Sequence, residues 1–130
     1  MGDRANIVVK QDDGTRIYLY THWRGYELPG ILQAALERGS DRWDDLQYLS
    51  RIIFQQMMGG DTGTTGFGIS AAPGDNEHPY LVVDCDAQTV TVESVGCFKA
   101  PASVLSFKDF AAPDGDMSWD YLTSHGLITA

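Results

Sequence analysis

The sequence predicts an α+β fold: an antiparallel sheet of about five strands, in the order ββααβββ, with two main helices packed on one face and short C-terminal helices. Three observations predict this fold. Residues 16 to 23 alternate between two kinds of side chain, as a strand does. Between residues 28 and 58 the apolar residues recur with the period of a helix, and strand-like segments return from residue 65. A chain of 130 residues is expected to form one domain, residues 1 to 130.

The first two strands form a hairpin. Residues 5 to 10 make the first strand, and the Asp-Asp-Gly-Thr segment at 12 to 15 makes the turn. The central strand starts at Arg16 and runs into a polar aromatic corner that ends at Tyr26. One face of this strand carries Ile17, Leu19, Thr21 and Trp23, and the other carries Tyr18, Tyr20 and His22. The second face either covers the sheet with tyrosines or forms a recognition surface.

Two amphipathic helices follow the corner. The first is predicted over residues 28 to 38, with Pro29 in its first turn and Gly39 at its end. The second is predicted over residues 45 to 58, with Asp44 and Gln47 as a capping box and Trp43 packed on Tyr48. Its apolar surface is wider than one sheet face requires, because Ile52 and Phe54 lie beside the main stripe. The helix is therefore either deeply buried or shared with a partner.

The second half of the chain returns to strands. Residues 65 to 70 form one strand, in which Gly66 and Gly68 leave the backbone bare on one face. Residues 80 to 85 and 89 to 94 form the last two predicted strands. In the tail, Ser106 caps one short helix, and Asp116 or Ser118 caps another.

The distribution of charge limits the partner. A net charge of −9 argues against binding of bulk nucleic acid, because neutralisation of phosphates supplies most of that affinity. Residues 1 to 51 contain seven Lys or Arg against eight Asp or Glu, whereas residues 52 to 130 contain two against ten. An anionic small ligand would therefore be held by the arginines of the first half, which grip phosphate or carboxylate with two N–H groups. Salt bridges to neighbouring carboxylates are the alternative use of the same arginines.

Targeting signals and cysteine chemistry are not apparent in the sequence. The first residues contain no apolar run long enough for a signal peptide or a membrane span, and Asn6 stands where a myristoylation signal has Ser or Thr. We therefore expect a soluble protein of the cytoplasm that does not bind membranes. Cys85 and Cys97 match no metal-binding spacing and are expected to be buried as small apolar side chains.

Several groups of residues have the types or spacing that chemistry could use. The glycine-rich segment at 59 to 68 follows a helix and precedes a strand, the reverse of a phosphate-binding loop, so it either contacts a ligand or is a plain turn. Asp114, Asp116, Ser118 and Asp120 are spaced like calcium ligands, but Trp119 and His125 occupy positions that need Gly and Glu. Asp84 and Asp86 form a carboxylate pair or a solvated strand end. The three histidines are scattered, which gives little support to an enzyme; no metal and no cofactor are expected.

Short motifs in a particular order resemble a group of small uncharacterised phage and prophage proteins. The motifs are Met-Gly-Asp-Arg-Ala at the start, His-Trp-Arg-Gly after the second strand, a helix that closes on Gly59-Gly60, a Gly-Ile strand, and Gly-Asp-Asn before a Tyr-containing strand. The resemblance covers about residues 1 to 84. Arg24 departs from it, because relatives often have Asn, Asp or Gly there. By analogy with small phage proteins that sequester nucleotide immune signals, the resemblance implies an anti-defence role in the host cytoplasm.

These observations predict a non-enzymatic protein that binds an anionic, nucleotide-derived signal. Arginines would neutralise the ligand, aromatic rings would stack on a base, and polar groups would fix its orientation. The predicted site residues are Arg4, Asn6, His22, Trp23, Arg24, Tyr26, Arg51, Thr64 and Thr65. One alternative is a module that docks on a host protein through an acidic or apolar surface, or dimerises through Ile52 and Phe54. A small nucleotide hydrolase is the other alternative.

Overall fold

Six strands form one sheet in the computed structural model, which describes residues 2–93, 103–113 and 115–127. The strands are β1 (Ala5–Lys10), β2 (Arg16–Thr21), β3 (Phe67–Ser70), β4 (Tyr80–Asp84), β5 (Thr89–Glu93) and β6 (Ser103–Ser106). The helices are α1 (Leu28–Arg38), α2 (Leu46–Met58), α3 (Phe107–Ala111) and α4 (Trp119–Ser124). Among the described residues, no helix is long and apolar enough to cross a membrane.

The α+β class is confirmed, but the prediction of an antiparallel sheet of about five strands was wrong in detail. The strand order is β3-β2-β1-β4-β5-β6, and β1 pairs with β4 in parallel. Both central strands contain a continuous apolar run, Ile7 to Val9 and Leu81 to Val83, that is buried on both faces. Such runs are typical of the interior of a sheet that contains parallel pairing. The sixth strand, β6, had not been predicted.

The hydrophobic core lies between one face of the sheet and the helices. The predicted stripe of α1 is buried in full: Leu28, Ile31, Leu32, Ala35 and Leu36. In α2, Ile52 is buried in the core, and Phe54 is partly buried against it. The α1 helix has the predicted boundaries, and Gly59, with a φ of 61°, follows α2.

The predicted start of α2 needs one correction. The N-cap is Asp45, whose carboxylate accepts a hydrogen bond from the backbone N of Tyr48 at 3.2 Å, and not Asp44. Trp43 packs on the ring of Phe107 and donates from Nε1 to Leu36 O at 2.9 Å, so it does not pack on Tyr48 as expected. Gln47 favours Asp44 in the sequence, but Asp45 is the residue with the extended backbone conformation that an N-cap requires.

The other face of the sheet is covered by its own side chains. Val8 and Val82 are buried there, and the rings of Tyr18 and Tyr80 meet edge to face at 5.8 Å. Arg16 and Glu93 form a two-bond ion pair across the same face, at 2.8 and 2.6 Å. Tyr18 and Tyr80 therefore belong to a side-chain layer that closes the sheet.

The C-terminal segment follows the predicted caps. Ser106 accepts a hydrogen bond from the backbone N of Asp109 and starts α3, and Ser118 accepts one from Tyr121 N and starts α4. Cys85 is buried as expected, whereas Cys97 lies outside the described residues.

Candidate functional site

The corner after β2 is fixed to the start of the chain. Gly25 is buried and donates its N–H to Asp3 O at 2.8 Å, and Tyr26 N donates to Asp3 Oδ2 at 2.7 Å. A Cβ at position 25 would come within 2.6 Å of Asp3 O, which explains the glycine. The imidazole of His78 contacts the same carboxylate, with Nε2 2.6 Å from Asp3 Oδ1. His78 stacks on Trp119, which donates from Nε1 to Gly25 O at 2.8 Å.

This arrangement also sets the protonation of Asp3. Burial raises the pKa of its carboxyl, but the hydrogen bonds with His78 and with the Tyr26 amide lower it, and the net pKa is below the ordinary value. The described residues place no Ser, Thr or Cys side chain in hydrogen-bond contact with His78. The pair links the start of the chain to the corner and, through the stack of His78 on Trp119, to α4.

Arg24 connects the corner to the end of α2. Its Nε lies 2.7 Å from Glu27 Oε2, and its Nη1 donates to Met57 O at 2.8 Å. The carbonyl of Met57 belongs to the last turn of α2, where backbone acceptors lack helical partners. Arg24 thus neutralises a carboxylate and caps a helix within its own chain.

Arg4 and Asn6 hold the loop before β4. Arg4 pairs through Nε with Glu77 at 3.0 Å and through Nη1 with Asp75 at 3.2 Å. Hydrogen bonds from the backbone N and side chain of Arg4 lower the pKa of Glu77. Asn6 is fully buried, and its Nδ2 donates to Gly74 O, Asp75 O and Asn76 Oδ1 at 3.2 to 3.5 Å. Among the described residues, Asn6 Oδ1 has no hydrogen-bond partner.

His22 and Trp23 lie next to Arg4. His22 Nδ1 is 3.0 Å from Tyr20 Oη, and the His22 ring meets Trp23 edge-on at 5.5 Å. A Cβ built on Gly2 would lie 3.2 Å from His22 Nε2 and 3.4 Å from Arg4 Nε, so both side chains lie against Gly2. The ring of Trp23, 44% exposed, covers Gly66 so closely that a Cβ there would overlap it.

The remaining predicted residues are dispersed. Thr64 and Thr65 are exposed in the segment that leads to Gly66, the residue that the Trp23 ring covers. Arg51 is exposed on α2 and donates to Gln55 Oε1 at 2.8 Å, one turn along the same helix. The structure thus brings Arg4, His22 and Trp23 together, whereas Arg24 and Tyr26 line a different cavity.

That cavity is a groove of about 500 Å³ between α1 and the segment before α4. Its polar lining is Arg24, Tyr26, Glu27, Gln33, Glu37, Gln56, Asp116 and Ser118, and we call it the acidic groove. Gln33 fixes its far wall, because Oε1 accepts from Met117 N at 2.9 Å and Nε2 donates to Ala111 O at 3.4 Å. Gly30 and Ala34 form its floor on α1. Two small residues one helical turn apart are a sequence signal for a depression in the helix surface.

A second acidic region lies at the end of β4, around Cys85. The exposed side chains of Asp12 and Asp86 border it, and Asp84 pairs with Lys10 at 3.7 Å. Burial, with smaller contributions from Asp84 and Asp86, raises the pKa of Cys85 to about 11, so the thiol is protonated at neutral pH. Within the described residues, no group of three or more His, Cys, Asp or Glu side chains has the arrangement of a metal site.

The geometry therefore leaves two surfaces to consider, the corner around Trp23 and the acidic groove beside α1. Both are built from the segment after β2 that the sequence had singled out, but they differ in how far their charges are already paired. Comparison with protein-family models, with curated proteins and with solved structures gave no match for this chain.

Proposed function

We propose that this chain is a non-enzymatic binding protein that docks onto a basic protein surface. The observation that carries the proposal is that the two arginines of the corner are paired within the chain, whereas several exposed carboxylates are not. Arg4 and Arg24 are paired with carboxylates of their own chain. In contrast, Asp12, Glu37, Asp86 and Asp116 are exposed and form no ion pair among the described residues.

Unpaired carboxylates on a chain of net charge −9 favour a cationic partner. Such a surface accelerates the encounter with a positive surface and selects against negative ones, and salt weakens the attraction. An anionic ligand would have to displace Asp75 and Glu77 before it reached Arg4, and Glu27 before it reached Arg24. On the resemblance to phage and prophage proteins, the partner would be a host protein in the host cytoplasm, and docking would block it.

Sequestration of a nucleotide-derived signal is the second candidate. The exposed ring of Trp23 favours it, because a base would stack there with Arg4, His22, Thr64 and Thr65 near at hand. This candidate requires Arg4 to exchange its carboxylate partners for the ligand. The cost of that exchange makes it the weaker of the two.

Calorimetric titration with a peptide and thermal unfolding with nucleotides together test the proposal. A short arginine–glycine peptide is expected to bind the whole chain at physiological ionic strength, whereas the same peptide with citrulline in place of arginine is not. A panel of cyclic and ADP-ribose-type nucleotides is expected to leave the melting temperature unchanged. Binding of a nucleotide without binding of the arginine peptide would overturn the proposal. If the bound nucleotide were recovered intact, the second candidate would replace it; turnover would indicate a hydrolase.

A further inference from the structure

We infer that the acidic groove, which Tyr26, Glu37 and Asp116 line, receives an arginine side chain of the basic partner. This inference rests on the proposed function and names the site at which it is carried out. The groove is a cavity of about 500 Å³. Ligand sites in proteins occupy about 300 to 1,000 Å³, so the groove can hold a long side chain with part of its backbone.

The charges of the groove suit a cation. Glu27, Glu37 and Asp116 face one guanidinium group, that of Arg24. Arg24 and Glu27 are paired with each other at 2.7 Å, which leaves Glu37 and Asp116 without a cation. Arg38 lies behind Gln56, donating from Nε to its Oε1 at 3.2 Å and from Nη2 to Ile52 O at 3.2 Å. Even with Arg38 counted, the carboxylates outnumber the cations.

Tyr26 supplies a surface for the flat face of a guanidinium group. Its side chain is 65% exposed, although its backbone is fixed by the bond to Asp3 and by the short 3-10 turn Gly25–Glu27. A cation placed over a tyrosine ring and also facing carboxylates is attracted by both groups. Arginine fits this arrangement better than lysine, because its planar group stacks while its N–H groups bind carboxylates.

The second acidic region offers a comparison within the same molecule. Arg42, Asp44 and Asp45 line a cavity together with Asp12 and Asp86 of that region. The guanidinium group of Arg42 already lies over the ring of Tyr48, 5.1 Å from its centroid. That ring is therefore occupied by a cation of the chain itself. Among the described residues, no arginine or lysine lies over the ring of Tyr26. The groove thus contains carboxylates and an exposed tyrosine ring, as near Tyr48, but no cation of the described residues covers that ring.

Two double variants of equal net charge test this inference. Glu37→Gln with Asp116→Asn removes the unpaired carboxylates of the groove, and Asp12→Asn with Asp86→Asn removes two exposed carboxylates of the other acidic region. General attraction to a cationic peptide falls equally in both. Titration with the arginine–glycine peptide should show roughly tenfold weaker binding for the groove variant. The other variant should lose no more than about twofold, which is the shared effect of net charge.

The outcomes separate this inference from the proposed function. If the wild-type chain does not bind the arginine peptide, the proposed function fails. If the wild-type chain binds and the two double variants lose equally, or the Asp12/Asp86 variant loses more, the function stands and the groove is not the site. Tyr26→Leu, which keeps an apolar side chain but removes the ring, should weaken binding severalfold, while Tyr48→Leu should not. Melting temperatures near the wild-type value would show that the variants are folded.

Discussion

The corner around Trp23 and the acidic groove beside α1 are both built from the segment after β2. They differ in whether their charged side chains are paired within the chain. At the corner, Arg4 is held by Asp75 and Glu77, and the Trp23 ring closes over Gly66. In the groove, Glu37 and Asp116 face an open cavity. A residue that is chemically suited to a ligand is available to one only if the fold leaves it unpaired. The corner is therefore expected to respond to mutation through stability, and the groove through binding.

Gly66→Ala should have the largest effect on stability. Gly66 has a φ of +95°, and an added Cβ would overlap the ring of Trp23. The backbone penalty of about 1–2 kcal/mol and an overpacking cost of about 1–3 kcal/mol predict a loss of about 2–5 kcal/mol. Urea denaturation of Gly14→Ala is the matched control, because Gly14 has a φ of +86° and no atom within 4 Å of an added Cβ. Equal losses in the two variants would mean that the corner is not closed by Trp23.

Arg24→Ala should have the next largest effect. The change leaves Glu27 without its ion-pair partner and the Met57 carbonyl without its donor, which predicts a loss of about 1–2 kcal/mol in the free energy of unfolding. Arg51→Ala removes only an exposed bond to Gln55 and should cost no more than about 0.5 kcal/mol. Urea denaturation of both variants gives the comparison. If Arg24→Ala were as mild as Arg51→Ala, Arg24 would be free to serve a ligand.

The elements of the fold could be predicted from the sequence further than their arrangement. The spacing of the apolar residues, with Pro29 in the first turn and Gly39 at the end, places α1 at 28 to 38. These signals are local in the sequence, so they can be recognised without the rest of the fold. Parallel pairing of β1 with β4 depends on which apolar runs meet in the middle of the sheet, and the prediction considered only alternation. The partners of Arg4 lie more than 70 positions away, so the sequence shows an arginine but not its neutralisation. Glu37 belongs to no sequence motif, and only its place in the lining of the cavity beside α1 distinguishes it from other exposed carboxylates.

Acid should weaken the contacts of the Asp3 carboxylate with His78 and the Tyr26 amide, which hold the corner. The pKa of Asp3 in the folded chain lies below its ordinary value of 3.8, so its carboxylate stabilises the fold at pH above that value. This contribution is lost as the pH falls through the folded pKa, and the lowered pKa of Glu77 acts in the same direction. Asp3→Asn should therefore flatten the acid limb of a plot of melting temperature against pH. Asp41→Asn, at an exposed carboxylate that makes no hydrogen bond among the described residues, should leave the limb unchanged.

The smallest effect on stability is expected inside the groove, where variants of Glu27 and Glu37 can be compared directly. Glu27→Gln breaks the ion pair with Arg24 at a partly exposed site and should cost about 0.5–1 kcal/mol. Glu37→Gln breaks no pair and lowers the negative charge of a molecule with a net −9, so its free energy of unfolding should stay the same or rise slightly. Urea denaturation at low and at physiological ionic strength resolves the two, since salt should diminish both effects. A loss at Glu37 as large as that at Glu27 would reveal an internal partner for this carboxylate. It would then be no more available to a ligand than the arginines of the corner.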